Sequence, residues 1–316
     1  MIILEHITKN FKNNKAVDDI SFEVKAGETL VLLGTSGCGK TTTLRMINRL
    51  LEPDNGHIYI NGRDIKMETV ETLRKNIGYV LQNHGLFPHY TVSENIEIVP
   101  KLLGWSKAKI NERTTELMKK LQLSPATANL YPAQLSGGQQ QRVGFARALA
   151  GNPSILLMDE PFGALDTVTR TEIRREFNSL DEWKQKTIVL VTHDVQEAFE
   201  LGDRICLMDK GAICQIGTSA DLLFHPNNNF VEKFFDQQRL QLELNAIYFE
   251  DIWDHLPDVQ GNNNTIINSE KSLWFALQMF ADGNKQISIE KTDSNNRKAF
   301  DLNLMQSVLF AFKNQD

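Results

Sequence analysis

Cysteine is scarce in this chain of 316 residues, which contains only Cys38, Cys206 and Cys214. Their number is odd, and their spacing lacks the close pairs that thiolate zinc sites require. This usage argues against a disulfide-stabilised secreted domain and against a zinc ribbon. A reducing cytosol is the compartment that it fits best.

Long apolar runs and an excess of basic charge are missing as well. No stretch approaches the ~20 uninterrupted apolar residues that cross a bilayer, and the N-terminus lacks the apolar segment of a signal peptide. The 34 Lys and Arg residues face 40 Asp and Glu residues, for a net charge of -6, which does not indicate a nucleic-acid surface. We therefore expect a soluble globular protein, peripheral if it works at a membrane, and no nucleic-acid partner.

The most informative stretch is Leu30 to Thr42, LVLLGTSGCGKTT. Four apolar residues predict a buried strand, and a G-x-x-x-x-G-K-[ST] phosphate-binding loop follows before a helix that opens around Thr42. Glycines let backbone N–H groups face one centre, and the helix N-terminus adds positive potential, so polyphosphate is the natural ligand. Lys40 is expected to reach the β- and γ-phosphates, and the Thr41 hydroxyl to bind Mg²⁺. The predicted nucleotide-binding residues here are Gly34, Thr35, Ser36, Gly37, Cys38, Gly39, Lys40, Thr41 and Thr42.

Apolar segments of strand length alternate with amphipathic segments of helical period along much of the chain. Residues 2–24 predict two antiparallel strands around a polar turn from Asn10 to Lys15, and residues 91–150 predict a compact helical insertion. Strands that alternate with helices predict an α/β fold with a mostly parallel sheet. Further strands are expected over residues 57–61, 77–81, 155–158, 187–192, 204–208 and 212–216, with a hairpin turn at Asn61-Gly62. Helices are expected after Asp166 to about Trp183, and over a charged stretch from Phe230 to about Leu244.

Two acidic residues end the apolar strand 155–158. Asp159 can hold Mg²⁺ through water, and Glu160 points to the other side of the strand end, where it can polarise an attacking water as general base. The alternative is a pair of ordinary surface carboxylates. Ser136, Gly137 and Gly138 stand at the start of a predicted helix, which is a second anion site, although alone they would indicate only a Gly-started helix.

The phosphate loop, LSGGQ at residues 135–139 and ILLMDEP at residues 155–161, with His193 beyond them, closely resemble the ATP-binding cassette (ABC) ATPases over about residues 1–235. This resemblance implies a P-loop NTPase cassette with a RecA-like core, an antiparallel β subdomain and a helical subdomain. It also implies ATP and Mg²⁺ as cofactors. The active form would be a head-to-tail homodimer with two ATP molecules at its interface.

The resemblance assigns roles to single residues. Ser136 to Gln139 would face the γ-phosphate held by the opposite subunit, and Asp166 would help to couple the two sites. Gln82 matches the glutamine that senses Mg²⁺ and the reacting water, and His193 matches the switch histidine at the γ-phosphate. Phe11 matches the aromatic residue that stacks on adenine, although an aromatic residue near a strand end is more often part of a core.

The spacing between Gln82 and Ser136 leaves no room for the long coiled-coil arms of chromosome-maintenance cassettes, and no second cassette is present. These features resemble a transporter subunit on the cytoplasmic face of the membrane, with permease subunits and a substrate-binding protein as partners. Residues 77–105 look like the glycine betaine, carnitine and choline branch of importers. A soluble cassette ATPase that acts as a mechanical or regulatory module is the alternative.

The end of the chain is expected to form a separate part. We predict a cassette over residues 1–238, a linker over 239–264 and a small α/β module over 265–316, with the order strand, helix, strand, strand, helix. Relatives of the branch often carry CBS sensor modules there, and this order is compatible with one divergent copy. The alternative is a small α/β cap that only dimerises. Cys38 is noted as an oxidation-sensitive position.

Overall fold

The computed structural model describes residues 1–12, 14–82, 85–178, 180–259, 265–291 and 296–313. These residues form two compact units, Met1–Ile216 and Gly217–Asp316. Within the described residues, no helix combines the length and apolar content that crossing a membrane requires.

The first unit contains the predicted alternation of strands and helices. Its strands and helices, in chain order, are β1 (Ile2–Phe11), β2 (Asn14–Val24), β3 (Thr29–Gly34), α1 (Lys40–Ile47), β4 (Asn55–Ile60), β5 (Arg63–Asp64), α2 (Val70–Lys75), β6 (Ile77–Val80), α3 (Val92–Leu102), α4 (Lys107–Lys120), α5 (Gly137–Ala150), β7 (Ile155–Asp159), α6 (Thr167–Asn178), α7 (Asp181–Lys184), β8 (Thr187–Val191), α8 (Val195–Leu201), β9 (Arg204–Asp209) and β10 (Ala212–Gly217).

A six-stranded sheet in the order β10-β9-β3-β8-β7-β6 forms the centre of this unit. Strand β3 pairs in parallel with β8 and β9, and β7 pairs in parallel with β6 and β8. Every residue of β3, β7 and β8 is buried, as continuous apolar runs predict for strands covered on both faces. The carboxyl ends of these strands therefore lie at one edge of the sheet, where ligands bind in folds of this type.

A second, antiparallel sheet in the order β2-β1-β4-β5 confirms the two predicted N-terminal strands. Asn61-Gly62 forms the predicted hairpin between β4 and β5. The predicted turn from Asn10 to Lys15 is shorter in the structure, because β1 reaches Phe11 and β2 starts at Asn14; Asn13 lies outside the described residues.

An ion cluster joins the helical insertion to the core of the first unit. Glu182 of α7 accepts hydrogen bonds from Arg113 (2.8 and 3.3 Å) and from Lys120 Nζ (2.9 Å), both of which belong to α4. Burial alone would raise the pKa of Glu182, but the hydrogen bonds from Arg113 and Lys120 outweigh it and hold this pKa below its ordinary value. The cluster thus fixes α4 against the chain that leads into β8.

Replacing Glu182 by Gln should lower the free energy of unfolding at pH 7 by about 1–3 kcal/mol, because two cations lose a charged acceptor in a partly buried place. Since the pKa of Glu182 is lowered on folding, its contribution is complete above the unfolded pKa and disappears as the pH falls through the folded value. Chemical denaturation of both proteins at pH 7 and at a pH below the folded pKa of Glu182 measures this difference in the free energy of unfolding. The exposed Glu112→Gln on α4 is the control, and equal losses from both variants would contradict the assignment.

The second unit contains the predicted C-terminal module. Its elements are α9 (Ser219–Phe224), α10 (Asn229–Phe234), α11 (Arg239–Ala246), β11 (Ile266–Asn268), α12 (Leu273–Ala281), β12 (Gln286–Glu290), β13 (Arg297–Asp301) and α13 (Leu302–Lys313). The order from β11 to α13 matches the prediction, with β11 parallel and β13 antiparallel to the central strand β12. A CBS-like identity for this sheet and its two helices remains a prediction.

The division of the chain differs from the predicted one. The boundary lies near residue 217 and not near residue 238, because the helices after β10 pack with the C-terminal module. The predicted linker is not a linker over residues 239–259: α11 opens it, and Phe249, Ile252 and Leu256 are buried in the core of the module. Residues 260–264 of that linker lie outside the described part of the chain.

Two predicted helices are shorter than expected. The charged helix expected over residues 230–244 is divided into α10 and α11, because Phe235 turns into the core and Arg239 bonds back to the carbonyl oxygen of Leu223 (2.8 Å). The helix expected to run to Trp183 ends at Asn178, and α7 follows it.

Candidate nucleotide site

The phosphate loop follows β3 at the carboxyl edge of the central sheet, and two of its glycines are required by close contacts. A Cβ at Gly34 would lie 2.1 Å from the carbonyl oxygen of Met208, and one at Gly39 would lie 2.4 Å from that of Ala16. Gly39 also has a φ of 105°, which side chains rarely adopt. No other residue fits at these two places, so the loop is held tightly against β9 and β2.

Lys40 is buried inside this loop and starts α1. Its ammonium donates hydrogen bonds to the carbonyl oxygens of Gly34 (2.8 Å) and Thr35 (2.9 Å) and lies 3.6 Å from Cys38 Sγ. The cation is therefore fixed at the centre of the loop by its backbone. An ammonium held by neutral carbonyl oxygens is ready to exchange them for more strongly charged acceptors.

Thr41 and Asp159 lie together beside the loop. The Thr41 hydroxyl donates to Asp159 Oδ1 at 2.7 Å, and Asp159, at the end of β7, is only 3% exposed. Burial raises the pKa of Asp159 above its ordinary value, although the bond from Thr41 and the charge of Arg45 oppose the shift. A buried carboxylate beside a hydroxyl is suited to a hard divalent cation.

The side-chain oxygens of Thr41 and Asp159 make a Mg²⁺ site only when a phosphate supplies further ligands. Among the described residues, no cluster of three or more His, Cys, Asp or Glu side chains could hold a metal ion by itself. Magnesium typically takes one or two protein oxygens and completes its shell with water and nucleotide phosphates. The pair of Thr41 and Asp159 meets that requirement.

Glu160 lies next to this pair, at the centre of three predicted catalytic residues. Its Oε2 accepts a hydrogen bond from Gln82 Nε2 (2.9 Å) and lies 3.3 Å from His193 Nδ1. Glu160 has a φ of 45°, an unusual backbone conformation for a residue with a side chain, and its N–H donates to the carbonyl oxygen of Val191. The ends of β6, β7 and β8 thus bring together three side chains that are far apart in sequence.

The LSGGQ segment at residues 135–139, called the signature from here on, forms a separate group at the start of α5. Ser136 caps the helix by accepting from the N–H of Gln139, whose side chain accepts in return from the N–H of Ser136. A Cβ at Gly138 would lie 2.8 Å from Thr169 Cγ2, so this helix start packs closely on the first turn of α6. The exposed Ser136 and Gly137 therefore share a surface with the residues that begin α6.

Asp166 belongs to this second group. Its Oδ1 accepts hydrogen bonds from the N–H groups of Val168 (3.2 Å) and Thr169 (3.1 Å), which caps α6. Bonds from the Thr169 side chain and N–H lower the pKa of Asp166, which stays a carboxylate. The structure thus places the phosphate loop, Glu160, Gln82 and His193 in one group, and the signature with Asp166 in another.

The remaining predicted residues lie around the loop. Phe11 is 49% exposed at the end of β1, so it is not the core residue that the alternative required. Thr35 Oγ1 donates to Asp209 Oδ1 at 3.1 Å, Ser36 and Gly37 are exposed, and Thr42 is half-buried in α1. Cys38 is only 2% exposed, which is a correction to its proposed sensitivity, because oxidation requires access to the thiol.

Two positions shortly after His193, Asp194 and Glu197, were not singled out from the sequence. Asp194 caps α8 by accepting from the N–H groups of Gln196 (2.8 Å) and Glu197 (3.1 Å). Glu197 is buried and accepts a hydrogen bond from the Thr192 hydroxyl, and burial raises its pKa. The pattern D-x-x-E at residues 194–197 could have identified both positions from the sequence, because it is typical of a capped helix N-terminus.

Comparison with known sequences agrees with this arrangement. Residues 17–163 match the family described as ABC transporter. The glycine betaine/carnitine/choline transport ATP-binding protein OpuCA of Bacillus subtilis is 41% identical over 314 residues, which cover 95% of this chain and 81% of that protein. The osmoprotectant import ATP-binding protein OsmV of Salmonella typhimurium is 46% identical over 271 residues, or 84% of this chain and 71% of that protein.

Solved structures lead to the same family. The ATP-binding cassette MJ0796, in a dimeric post-hydrolysis state bound to ADP and Pi, is 36% identical with a TM-score of 0.62 and covers 69% of this chain and 98% of that one. A second dimeric structure of MJ0796, described as a bacterial ABC transporter cassette, gives a TM-score of 0.63. The predicted ABC cassette fold is confirmed, and this chain belongs to the ABC transporter family as one of its ATP-binding, ATP-hydrolysing proteins.

Proposed function

We propose that this chain powers the import of quaternary ammonium osmolytes, such as glycine betaine, carnitine or choline, by hydrolysing ATP on the cytoplasmic face of the cell membrane. The observation that carries the ATPase part is the convergence of Lys40, Thr41, Asp159 and Glu160 at one sheet edge. The cargo is inferred from similarity to transport proteins named for these compounds. The cargo would not touch this chain, so its identity follows from the relatives and not from the site.

Within one subunit, Lys40 and the loop N–H groups bind the β- and γ-phosphates, and Phe11 stacks on adenine. Thr41 and Asp159, with Gln82 at the next strand end, would hold Mg²⁺, which would neutralise phosphate charge. Glu160 is the general base that takes a proton from the attacking water. Gln82 and His193 hold the Glu160 carboxylate at hydrogen-bonding distance and therefore position it.

The separate position of the signature group supports a homodimer. Ser136, Gly137, Gly138 and Gln139 begin a helix and can offer N–H groups to an anion. Their hydrogen bonds stay within their own helix start and leave that surface exposed. We propose that each subunit contributes this surface, with Asp166 beside it, to the ATP bound by its partner.

Membrane-spanning permease subunits are the second proposed partner, and through them a substrate-binding protein. Relatives are named as ATP-binding proteins of transport and import systems. The exposed Leu81, Phe87, Tyr90 and Leu102, close to Gln82 and α3, provide apolar surface for such a contact. Closure of the two cassettes would then move the permease.

Uptake by the reconstituted complex tests the cargo. Proteoliposomes with the permease, binding protein and this chain should accumulate labelled glycine betaine, carnitine or choline only with ATP inside. An unrelated solute such as sulfate is the control. If the chain hydrolyses ATP but never co-purifies with a multi-span permease, the alternative, a soluble mechanical or regulatory ATPase, replaces this proposal.

We further propose that the second unit regulates transport in response to ionic strength, as a CBS-like sensor would. The unit has an apolar core of its own and a three-stranded sheet, which supports an independent module. Ending the chain after Thr218 should leave ATP hydrolysis but remove the salt dependence of uptake. An unchanged salt response would favour the alternative, a cap that only dimerises.

A further inference from the structure

Arg170 lies on the first turn of α6 and bridges two loops that carry functional residues. One is the segment 161–166 before α6, called the Asp166 loop from here on, and the other is the segment 192–194, which contains His193. The N–H of Arg170 donates to the carbonyl oxygen of Asp166 in the helix, at 2.9 Å. Its side chain reaches in two directions: Nη2 donates to the carbonyl oxygen of Leu165 (3.1 Å), and Nη1 donates to Asp194 Oδ2 (3.4 Å). One guanidinium therefore joins the residue before Asp166 to the residue after His193.

The two carboxylate oxygens of Asp194 accept hydrogen bonds from different parts of the structure. Its Oδ1 caps α8 by accepting two backbone hydrogen bonds, which leaves Oδ2 for Arg170. The N–H of Asp194 donates to Thr192 Oγ1 at 3.0 Å, and the Thr192 hydroxyl donates to the buried Glu197. Both neighbours of His193 are thus fixed by side-chain contacts, so a shift of Arg170 reaches His193 through a short, rigid path.

The surroundings favour a specific contact over a solvated surface ion pair. Arg170 and Asp194 side chains are each 25% exposed. The next arginine on the same face of α6, Arg174, is occupied by Glu200, at 2.6 Å from its Nε. Arg170 is therefore committed to the two loops, whereas its neighbour ties α6 to α8.

We propose that Arg170 is the positioning residue that couples the Asp166 loop to the switch residue His193, and thereby couples the two ATP sites of the dimer. The inference rests on the proposed dimer, in which Asp166 meets the partner's nucleotide while His193 meets the subunit's own. Displacement of the Asp166 loop by the partner moves Leu165, and the guanidinium transmits this movement to Asp194. His193 and the Glu160 carboxylate 3.3 Å from it then change position together.

Arginine suits this role better than lysine. Its planar fork presents several N–H donors in fixed directions, so it can hold a carbonyl oxygen and a carboxylate at the same time. A lysine ammonium keeps the charge but is a single flexible point charge on its stem. Arg170→Lys therefore removes the bridge between the two loops but keeps the positive charge and the helix.

Steady-state ATP hydrolysis by the full-length protein tests the inference. We expect Arg170→Lys to lower kcat by roughly 3- to 30-fold, the range for a residue that couples sites without touching either ligand. The Hill coefficient for ATP should fall towards one, with KM nearly unchanged because the phosphate loop is untouched. The matched control is Arg175→Lys, the same exchange at an exposed position of the same helix, which should behave like the wild type.

Asp194→Asn examines the other end of the bridge. The amide oxygen can still cap α8, whereas the charge that receives Arg170 is lost. The double variant with Arg170→Lys should be no slower than either single variant, since both break one interaction. Thermal unfolding shows whether each variant is folded, and the conclusions are drawn from those that are.

The outcomes separate this inference from the proposed function. A folded Arg170→Lys with the wild-type Hill coefficient and kcat overturns the bridge, as does an additive double variant. A wild-type protein that hydrolyses ATP with a Hill coefficient of one overturns the coupled dimer instead. Loss of cooperativity in Arg170→Lys and Asp194→Asn, but not in Arg175→Lys, supports both.

Discussion

Glu160→Gln should lower the rate of ATP hydrolysis by about 10²- to 10⁴-fold, the usual contribution of a general base. The amide has nearly the same shape as the carboxylate, and its oxygen can still accept the hydrogen bond that Gln82 donates at 2.9 Å. What it cannot do is take a proton from water. ATP binding should therefore persist, and the ATP-bound dimer should accumulate, as measured by phosphate release, nucleotide binding and size-exclusion chromatography.

The control for this variant is Glu172→Gln, at an exposed position on α6. It removes the same charge from the same unit without touching the strand ends, so hydrolysis should be unchanged. If Glu160→Gln hydrolyses ATP at the wild-type rate, Glu160 is not the base. If it loses ATP binding as well, its role is structural, through the unusual backbone conformation at this position.

Mixed dimers should show that each ATP site is built from two subunits. In the Glu160→Gln background, Lys40→Ala removes the cation of the phosphate loop, and Gly137→Asp places a negative charge where the partner's phosphate would lie. Gly137 tolerates a side chain, because its Cβ would meet only Leu165 Cδ2, at 3.8 Å. An acidic residue in the first turn also suits the helix, so the subunit should remain folded.

The distribution of the two changes decides the result. With Lys40→Ala in one subunit and Gly137→Asp in the other, both defects fall on the same composite site, and the dimer should trap one ATP. With both changes in one subunit beside a subunit without them, each site has a defect, and no ATP should be trapped. Gly137→Asn, which lacks the charge, is the matched control. If each subunit held a complete site, the pattern would be reversed, with one ATP trapped only when both changes lie in the same subunit. Equal trapping by the two arrangements would mean that Gly137 contributes to neither site.

Much of the site could be predicted because its residues stand at strand ends and in a short loop. The run before Gly34 and the run before Asp159 are apolar throughout, which marks both as buried strands of one sheet. The carboxyl ends of parallel strands meet at one edge, so the contact between Thr41 and Asp159 follows from local pattern. The roles of Gln82, His193 and Phe11 came from family resemblance, since a single such residue has no chemical signature.

The division into units was less predictable from sequence. The boundary was expected near residue 238, in the charged stretch after the polar break at residues 227–229, but the helices from Ser219 onward belong to the second unit. Arg239, Phe235 and Leu244 decide this by packing and hydrogen bonding within that unit. Composition marks where a chain can turn, whereas the boundary depends on which apolar faces meet.

The amino-acid sequence by itself determined the phosphate loop, the acidic strand end and the signature helix start, because each depends on residues that are neighbours in the chain. Only the tertiary structure decided which of them share a site: it set Glu160 between Gln82 and His193, and it joined Leu165 to Asp194 through Arg170. The physical reason is the distance along the chain between the residues that determine each feature. Turns, caps and strand burial follow from local spacing, whereas a side chain that meets residues far along the chain is placed by the packing of the whole sheet and its helices.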